Sequence, residues 1–193
     1  MKQSIIPAFR DFLVRFQQNA LKETGRRPMT YLRSSMEQSL ILPGCLRSGY
    51  VFWQPMPWQN VNIPLGQNKG MFHESIIDYY SMCQFLEVRF RLPVAHQNSP
   101  LSFLYRRVFE LYSNTQANPP MRALDEAIFL YEREATKVLS VPIACTCDGG
   151  EMLQIMLCAE NGKVMIQPSN GETVLLSITL DKILPKAQFV YDI

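Results

Sequence analysis

The sequence predicts an α+β fold: one domain over residues 1–193, with a four- to six-stranded, mainly antiparallel sheet packed with helices. Three observations point there. Glu151 to Gln167 holds two apolar runs around Asn161-Gly162; both of those residues tolerate positive φ, so the pair marks a tight type I′ hairpin. Leu86, Val88, Phe90 and Leu92 alternate with Glu87, Arg89 and Arg91, the period of a half-exposed antiparallel strand. Several other stretches instead carry apolar residues at three- and four-residue spacing, which predicts helices before, between and after the strands.

In chain order, Ser4 to about Lys22 reads as an amphipathic helix. Ser4 can cap it, Pro7 fits its first turn, and Ile5, Ala8, Phe9, Phe12, Leu13 and Phe16 form its inner stripe, ending near Gly25. Residues 26–48 hold Pro28, Pro43, Gly44 and Gly49 and read as a connecting loop, apart from one helical turn at Tyr31 to Met36. Tyr50 to Gln54 is aromatic and β-branched enough for a strand, which Pro55 and Pro57 terminate because proline donates nothing to a ladder. A long loop follows to Gly70, then a helix marked by Phe72, Ile76, Tyr79, Tyr80 and Cys83. After the alternating strand, Leu101, Leu104, Tyr105, Val108, Phe109 and Tyr112 space as a third helix. Arg122 to Leu139 spaces as a fourth, with Leu124, Ala127, Ile128, Tyr131, Ala135 and Val138 inward. Val141 to Cys147 reads as a strand entering Gly149-Gly150. The hairpin comes next, with Leu153, Ile155, Leu157 and Ala159 on one face of its first strand and Met152, Met156 and Cys158 on the other. Both faces are apolar, which places that strand inside the sheet. Glu172 to Leu176 is a last strand, and Ser177 can cap a short helix through Leu184.

With 193 residues the chain can bury roughly 70% of its unfolded surface in one core. No apolar run reaches the length of a membrane span, and Met1 to Pro7 lacks the apolar stretch and cleavage site of a leader, which predicts a cytoplasmic protein. Cys45, Cys83, Cys145, Cys147 and Cys158 are an odd number without framework spacing, so they read as free, core-packed thiols in a reducing compartment. The net charge is only +2, but residues 1–50 carry eight Lys or Arg against three Asp or Glu, and the remainder eleven against fourteen. A basic front can dock an acidic partner or nucleic acid; spread along a helix between apolar positions, such charge is more often a solvated face.

The constellations an enzyme needs are not legible. His73 and His96 have no Cys or carboxylate at ligand spacing, and Cys145 and Cys147, one residue apart, miss the usual zinc spacing. Gly149-Gly150 lacks the Lys and hydroxyl residue of a phosphate loop, and there is no Gly-x-Ser-x-Gly. Glu132 and Glu134 face different ways on a helix. His73 and Cys83, ten residues apart on one helix, would lie about 15 Å apart, too far for proton transfer. Tyr31 near Arg26, Arg27 and Arg33 is the only basic-aromatic group suited to nucleic acid, and none is expected to bind. No catalytic residue, metal or cofactor is therefore expected, and a protein that acts by binding is favoured by exclusion.

The run Tyr50-Val51-Phe52-Trp53-Gln54-Pro55-Met56-Pro57-Trp58 resembles the Val-Tyr-Trp-Gln-Pro-x-Pro-Phe run of bacterial Syd proteins. Ala8 to Phe16 is similar to the first Syd helix, Glu74 to Phe85 to its tyrosine-rich helix, and Leu153 to Val164 to its last hairpin. The resemblance implies membership of the SUKH superfamily of α+β binding modules, with Trp53, Gln54, Pro55 and Pro57 as structural motif residues. Members include immunity proteins that neutralise cognate bacterial toxins, whereas Syd itself associates with the translocon subunit SecY. This chain departs from Syd in a longer segment from Pro93 to Pro120 and in its slightly basic charge. Immunity proteins diverge with their toxins, so the departures favour a toxin-binding immunity protein over a SecY-binding regulator. The expected partner surface carries Met56 and Trp58 as anchors, rimmed by the loop from Pro55 to Gly70, with Arg89 and Arg91 on the polar face of their strand. An immunity protein of this kind would cover its toxin's active site or substrate path.

Overall fold

A computed structural model describes residues 4–33, 36–44, 48–58, 67–92, 104, 107–115, 120–134 and 138–191. Its first element, helix α1 (Ile6–Thr24), buries Phe9, Phe12, Leu13, Phe16 and Ala20 along one stripe and stops at Gly25, whose φ of 68° lets its N–H reach the Leu21 carbonyl. Ser4 stands one residue before Ile5, the residue preceding the helix, yet its Oγ accepts from the Ile6 N–H at 3.2 Å, so it caps as expected. The Ser4 hydroxyl and the Ile5 N–H also both donate to Asp78 Oδ2, at 2.6 and 3.1 Å, which sets a carboxylate from a second helix on the positive end of α1.

The segment read as a loop over 26–48 contains two strands. β1 (Met29–Tyr31) and β2 (Ile41–Leu42) flank β3 (Tyr50–Trp53) in a small antiparallel sheet, so Tyr31 opens no helical turn. Three and two residues are too few to leave a periodic signature, and it is pairing with β3 that makes them strands. β4 (Met56–Pro57) pairs with β5 (Cys83–Gln84), and between them lies α2 (Glu74–Met82), ending one residue before Cys83. Asn114, fully buried, donates through Nδ2 to the carbonyls of Tyr80 at 2.8 Å and Cys83 at 3.0 Å. It thereby satisfies acceptors at the end of α2 that have no partner within the helix.

The larger sheet has seven antiparallel strands, one more than expected, in the order β11-β10-β9-β8-β7-β6-β12. They are β6 (Val88–Arg91), β7 (Val108–Leu111), β8 (Ser140–Thr146), β9 (Leu153–Cys158), β10 (Lys163–Pro168), β11 (Val174–Thr179) and β12 (Gln188–Phe189). β7 occupies part of the stretch read as a third helix. Leu104, Val108 and Leu111 satisfy helical spacing, but Phe109 and Leu111 are buried while Val108 and Glu110 are half-exposed, and pairing on both sides, to β6 and β8, decides for the strand. Residues 101–103 lie outside the described part of the chain.

Helix α3 (Pro120–Glu134) lies against β8 and buries Leu124, Ala127 and Ile128. It does not run to Leu139: Val138 is 41% exposed and Ser140 already opens β8. β11 begins at Val174, so Ser177 lies within a strand, and the short helix α4 (Leu180–Ile183) starts after Thr179 without a side-chain cap.

The central hairpin is present, but its loop has four residues. Val164 pairs with Leu157, and the Gly162 N–H donates to the Cys158 carbonyl at 2.9 Å. Ala159 is drawn out of the ladder because its N–H donates to the Leu139 carbonyl and its carbonyl accepts from the His73 N–H. Lys163 N–H donates to Asn161 Oδ1 at 2.9 Å, an Asx turn that closes the loop. As expected, Leu153, Ile155 and Leu157 are buried together; Met152, by contrast, is 51% exposed.

One contiguous core runs from Ile5 to Ala187 and joins the helices to both sheets. Phe9 packs 5.0 Å from Tyr79, Phe12 5.8 Å from Phe90, and Phe16 5.8 Å from Trp53, measured between ring centroids. At the far end, Arg107 Nε and Nη2 grip Asp148 at 2.8 and 2.9 Å, and Asp148 also accepts from the Val108 N–H, which ties the β8–β9 turn to the start of β7. No helix among the described residues is long and apolar enough to cross a membrane.

Two expected outcomes follow from these local structures. Gly162 has φ 67°, and an added Cβ would collide with His73 Nδ1 and Ser75 Oγ at the start of α2. Gly162→Ala should cost about 2 kcal/mol or more, read as a melting temperature lower by roughly 4–8 °C. The Arg107 hydrogen bond holds the Asp148 carboxyl down at about 2. Its depressed value means the contribution to stability is intact above the unfolded value of about 4 and is lost as pH falls through about 2. Melting curves between those pH values should therefore show a shallower acid dependence for Asp148→Asn than for the parent chain.

Candidate binding surface

The sheet register puts side chains of opposite character on its two faces. Val88, Leu111, Ala144, Ile155 and Ile166 stand opposite one another across five strands and are all buried. One residue away, the neighbouring row is Arg89, Glu110, Cys145, Gln154 and Gln167, which the pleat turns to the other face. The polar row is linked by contacts. Arg89 Nε donates to Glu110 Oε2 at 3.1 Å, and its Nη2 also pairs with Glu87 Oε1. Gln154 Nε2 donates to the Tyr112 hydroxyl at 3.2 Å.

Where this row meets the small sheet, a groove of about 360 Å³ opens, lined by Thr30, Arg33 and Met36 from the β1 side and by Leu86, Glu87, Glu110, Leu111, Tyr112, Ser113, Thr115 and Cys145. Thr30 Oγ1 donates to Glu87 Oε2 at 2.8 Å, so the small sheet is fastened to the groove's acidic wall. Burial pushes the Glu110 carboxyl up and the nearby Glu87 adds to this, while Arg89 opposes both. Burial likewise raises the Tyr112 hydroxyl to about 12.

The residues singled out in the sequence divide between two places. Trp53 is fully buried against Phe16 and belongs to the core, and its Nε1 has no hydrogen-bond partner among the described residues. Gln54 is half-buried and its N–H donates to the Leu40 carbonyl at 3.1 Å. Pro55 and Met56 are half-buried and Pro57 is exposed. Trp58 is half-buried, with Nε1 donating to the Tyr80 carbonyl at 3.2 Å. Residues 59–66 of the anticipated rim loop lie outside the described part of the chain. Arg89 is tied to two carboxylates at the groove, whereas Arg91, two residues on, is exposed. Met56 thus stands in the β4–β5 ribbon, with Trp58 directly after it, and the two arginines stand in the seven-stranded sheet.

The thiols also differ from expectation. Cys147 is exposed and Cys145 half-buried at the groove; only Cys83 and Cys158 are buried, and Cys45 lies outside the described residues. Burial pushes the Cys83 thiol to about 12 and Cys147 to about 11, so both are protonated at neutral pH. His73 caps α2, its Nδ1 accepting from the Ser75 N–H at 3.2 Å. Among the described residues no three His, Cys, Asp or Glu side chains converge as a metal site requires. Sequence reading missed Thr30, Arg33, Glu87, Glu110 and Tyr112 as a group because a loop, a strand and an expected helix supply them. The available signal was the basic face of β6, since an antiparallel neighbour would be expected to place acid opposite Arg89.

No model of a known protein family matches the chain, and no curated protein matches it. The likeness to Syd rests on the sequence runs quoted above.

Trp58 and Arg91 are expected to behave differently on truncation. Trp58→Ala removes a half-buried ring and a hydrogen bond and should cost about 2 kcal/mol in chemical denaturation. Arg91→Ala, at an exposed position, should change stability by less than about 0.5 kcal/mol.

Proposed function

We propose that this chain is a non-enzymatic protein-binding module, an immunity protein that neutralises a bacterial toxin by covering its active site or substrate path in the cytoplasm. The observation that carries the reading is the groove beside the polar row. Its acidic groups are held in place by Arg89 and Thr30, which gives a fixed pattern of charge facing an open recess. Fixed charge of this kind suits recognition, since complementary charge steers encounter and selects among partners while little ordering cost remains at binding. The resemblance to Syd and the SUKH modules supplies the class of partner. Exposed Arg91 and the Met56 to Trp58 edge extend the surface available to it.

The test begins with affinity capture from the native host, followed by expression of the captured protein. The expected result is a protein that arrests growth when expressed alone and is harmless when co-expressed with this chain. Capture of the SecY subunit in its place would favour the translocon-regulator reading. Turnover of a substrate by the purified chain, abolished by one side-chain replacement, would overturn both.

A further inference from the structure

In the sequence Tyr31 is the one aromatic residue beside Arg26, Arg27 and Arg33; the register of the small sheet adds others from a separate strand. Met29 stands opposite Phe52 and Tyr31 opposite Tyr50, and β2 sets Leu42 on the far side of Phe52. Residues opposite one another in antiparallel strands share a face, so these five side chains stand together. Trp53, one residue along from Phe52, is fully buried against Phe16, which makes its face the inner one and theirs the outer. None of the five belongs to the buried core. The Tyr31 ring is 57% exposed and meets the Tyr50 ring edge to face, with centroids 5.5 Å apart. Gly49, at φ 76°, lies against it so closely that an added Cβ would come to 3.0 Å from Tyr31 Cε2, so the ring is seated on backbone. The Pro28 carbonyl accepts from the Trp53 N–H at 3.1 Å, so pairing begins directly after Arg27 and sets Arg26 and Arg27 at the edge of this face. Arg33 shares its charge with Glu110 across the groove, whereas exposed Lys22, Arg26 and Arg27 form no ion pair among the described residues.

We propose that the outer face of the small sheet binds single-stranded nucleic acid, with a base stacked on Tyr31, apolar contact from Tyr50 and Phe52, and phosphates on Lys22, Arg26 and Arg27. The inference goes beyond the toxin-binding reading and does not depend on it. A nucleotide carries a flat ring and an anion one sugar apart, the combination that strand-borne aromatics beside arginines complement. A duplex keeps its bases stacked inside and presents phosphates to such a face, which leaves the rings unused. An acidic protein segment engages the guanidinium groups through carboxylates but brings no flat ring to the tyrosines. An unpaired base with its phosphate uses both features together. Stacking on an aromatic ring is tolerant of sequence, so the face needs no groups that read base edges.

The test follows the fluorescence anisotropy of a labelled oligothymidine of about twelve nucleotides as the intact chain is added at low salt. Saturable binding is expected, and its affinity should fall with salt at a log–log slope of about −2, the counterion release of three phosphate contacts on a single strand. An abasic strand of the same length and charge should bind about tenfold more weakly, as should oligothymidine to Tyr31→Ala, whereas Tyr31→Phe should bind like the parent chain. Arg26→Ala, at an exposed position, should weaken binding about threefold and make the salt slope shallower by about 0.7. If Tyr31→Ala does not fold, the abasic strand and Arg26→Ala decide. Absence of saturable binding, equal affinity for the abasic strand, or unchanged affinity in folded Tyr31→Ala overturns the proposal. Displacement of the oligothymidine by an oligoglutamate of equal charge at equal concentration also overturns it and assigns the face to an acidic protein. None of these results bears on whether the chain neutralises a toxin, which the capture and co-expression experiment decides separately.

Discussion

The stripe of phenylalanines on α1 is the constraint on which the architecture depends. Phe9 meets α2 and Phe85, Phe12 meets β6 and β12, and Phe16 meets Trp53 of the small sheet and Tyr191 beyond β12. Three side chains at helical spacing therefore join one helix to another helix and two sheets. Each ring buries a large apolar area, and pairs in tilted or edge-on contact add to that burial. Because the small sheet shares this core through Trp53, its position relative to the large sheet is fixed, and so is the width of the groove between them.

The candidate binding surface follows from a phase relation within the large sheet. The buried row and the polar row differ by one residue along every strand from β6 to β10, so the register that closes the core also aligns Arg89, Glu110, Cys145, Gln154 and Gln167. A slip of one residue in any of these strands would turn its core side chains outward, and in β6 or β7 would also bury charge, which ties the polar alignment to the apolar one. The ion pairs across it are partly shielded from solvent, and their value lies more in fixing side-chain positions than in net stability.

Much of this was legible in the sequence where an element is long or strongly periodic. The α1 stripe, α2, the alternation from Leu86 to Leu92 and the central hairpin all follow from spacing alone. What escaped were elements that exist through pairing. Met29–Tyr31 and Ile41–Leu42 are strands because β3 lies between them, and Val108–Leu111 satisfies helical and strand spacing equally until β6 and β8 are present. The loop at Asn161-Gly162 lengthened for a similar reason, since Leu139 and His73 claim the backbone of Ala159. The groove was illegible because its walls come from segments about 80 residues apart in sequence, from Thr30 to Glu110. Trp53, expected as a structural residue, is fully buried in the core.

The amide of Asn114 has a mechanical consequence. By holding the carbonyls of Tyr80 and Cys83 it lets α2 pass into β5 with Cys83 already extended, at φ −163°, and with no glycine at the junction. Trp58 donates to the same Tyr80 carbonyl, so helix, ribbon and the segment after β4 converge on one acceptor. Such a junction has no slack. The ribbon cannot open locally while the helix end stays shut, and the two belong to one cooperative unit of unfolding.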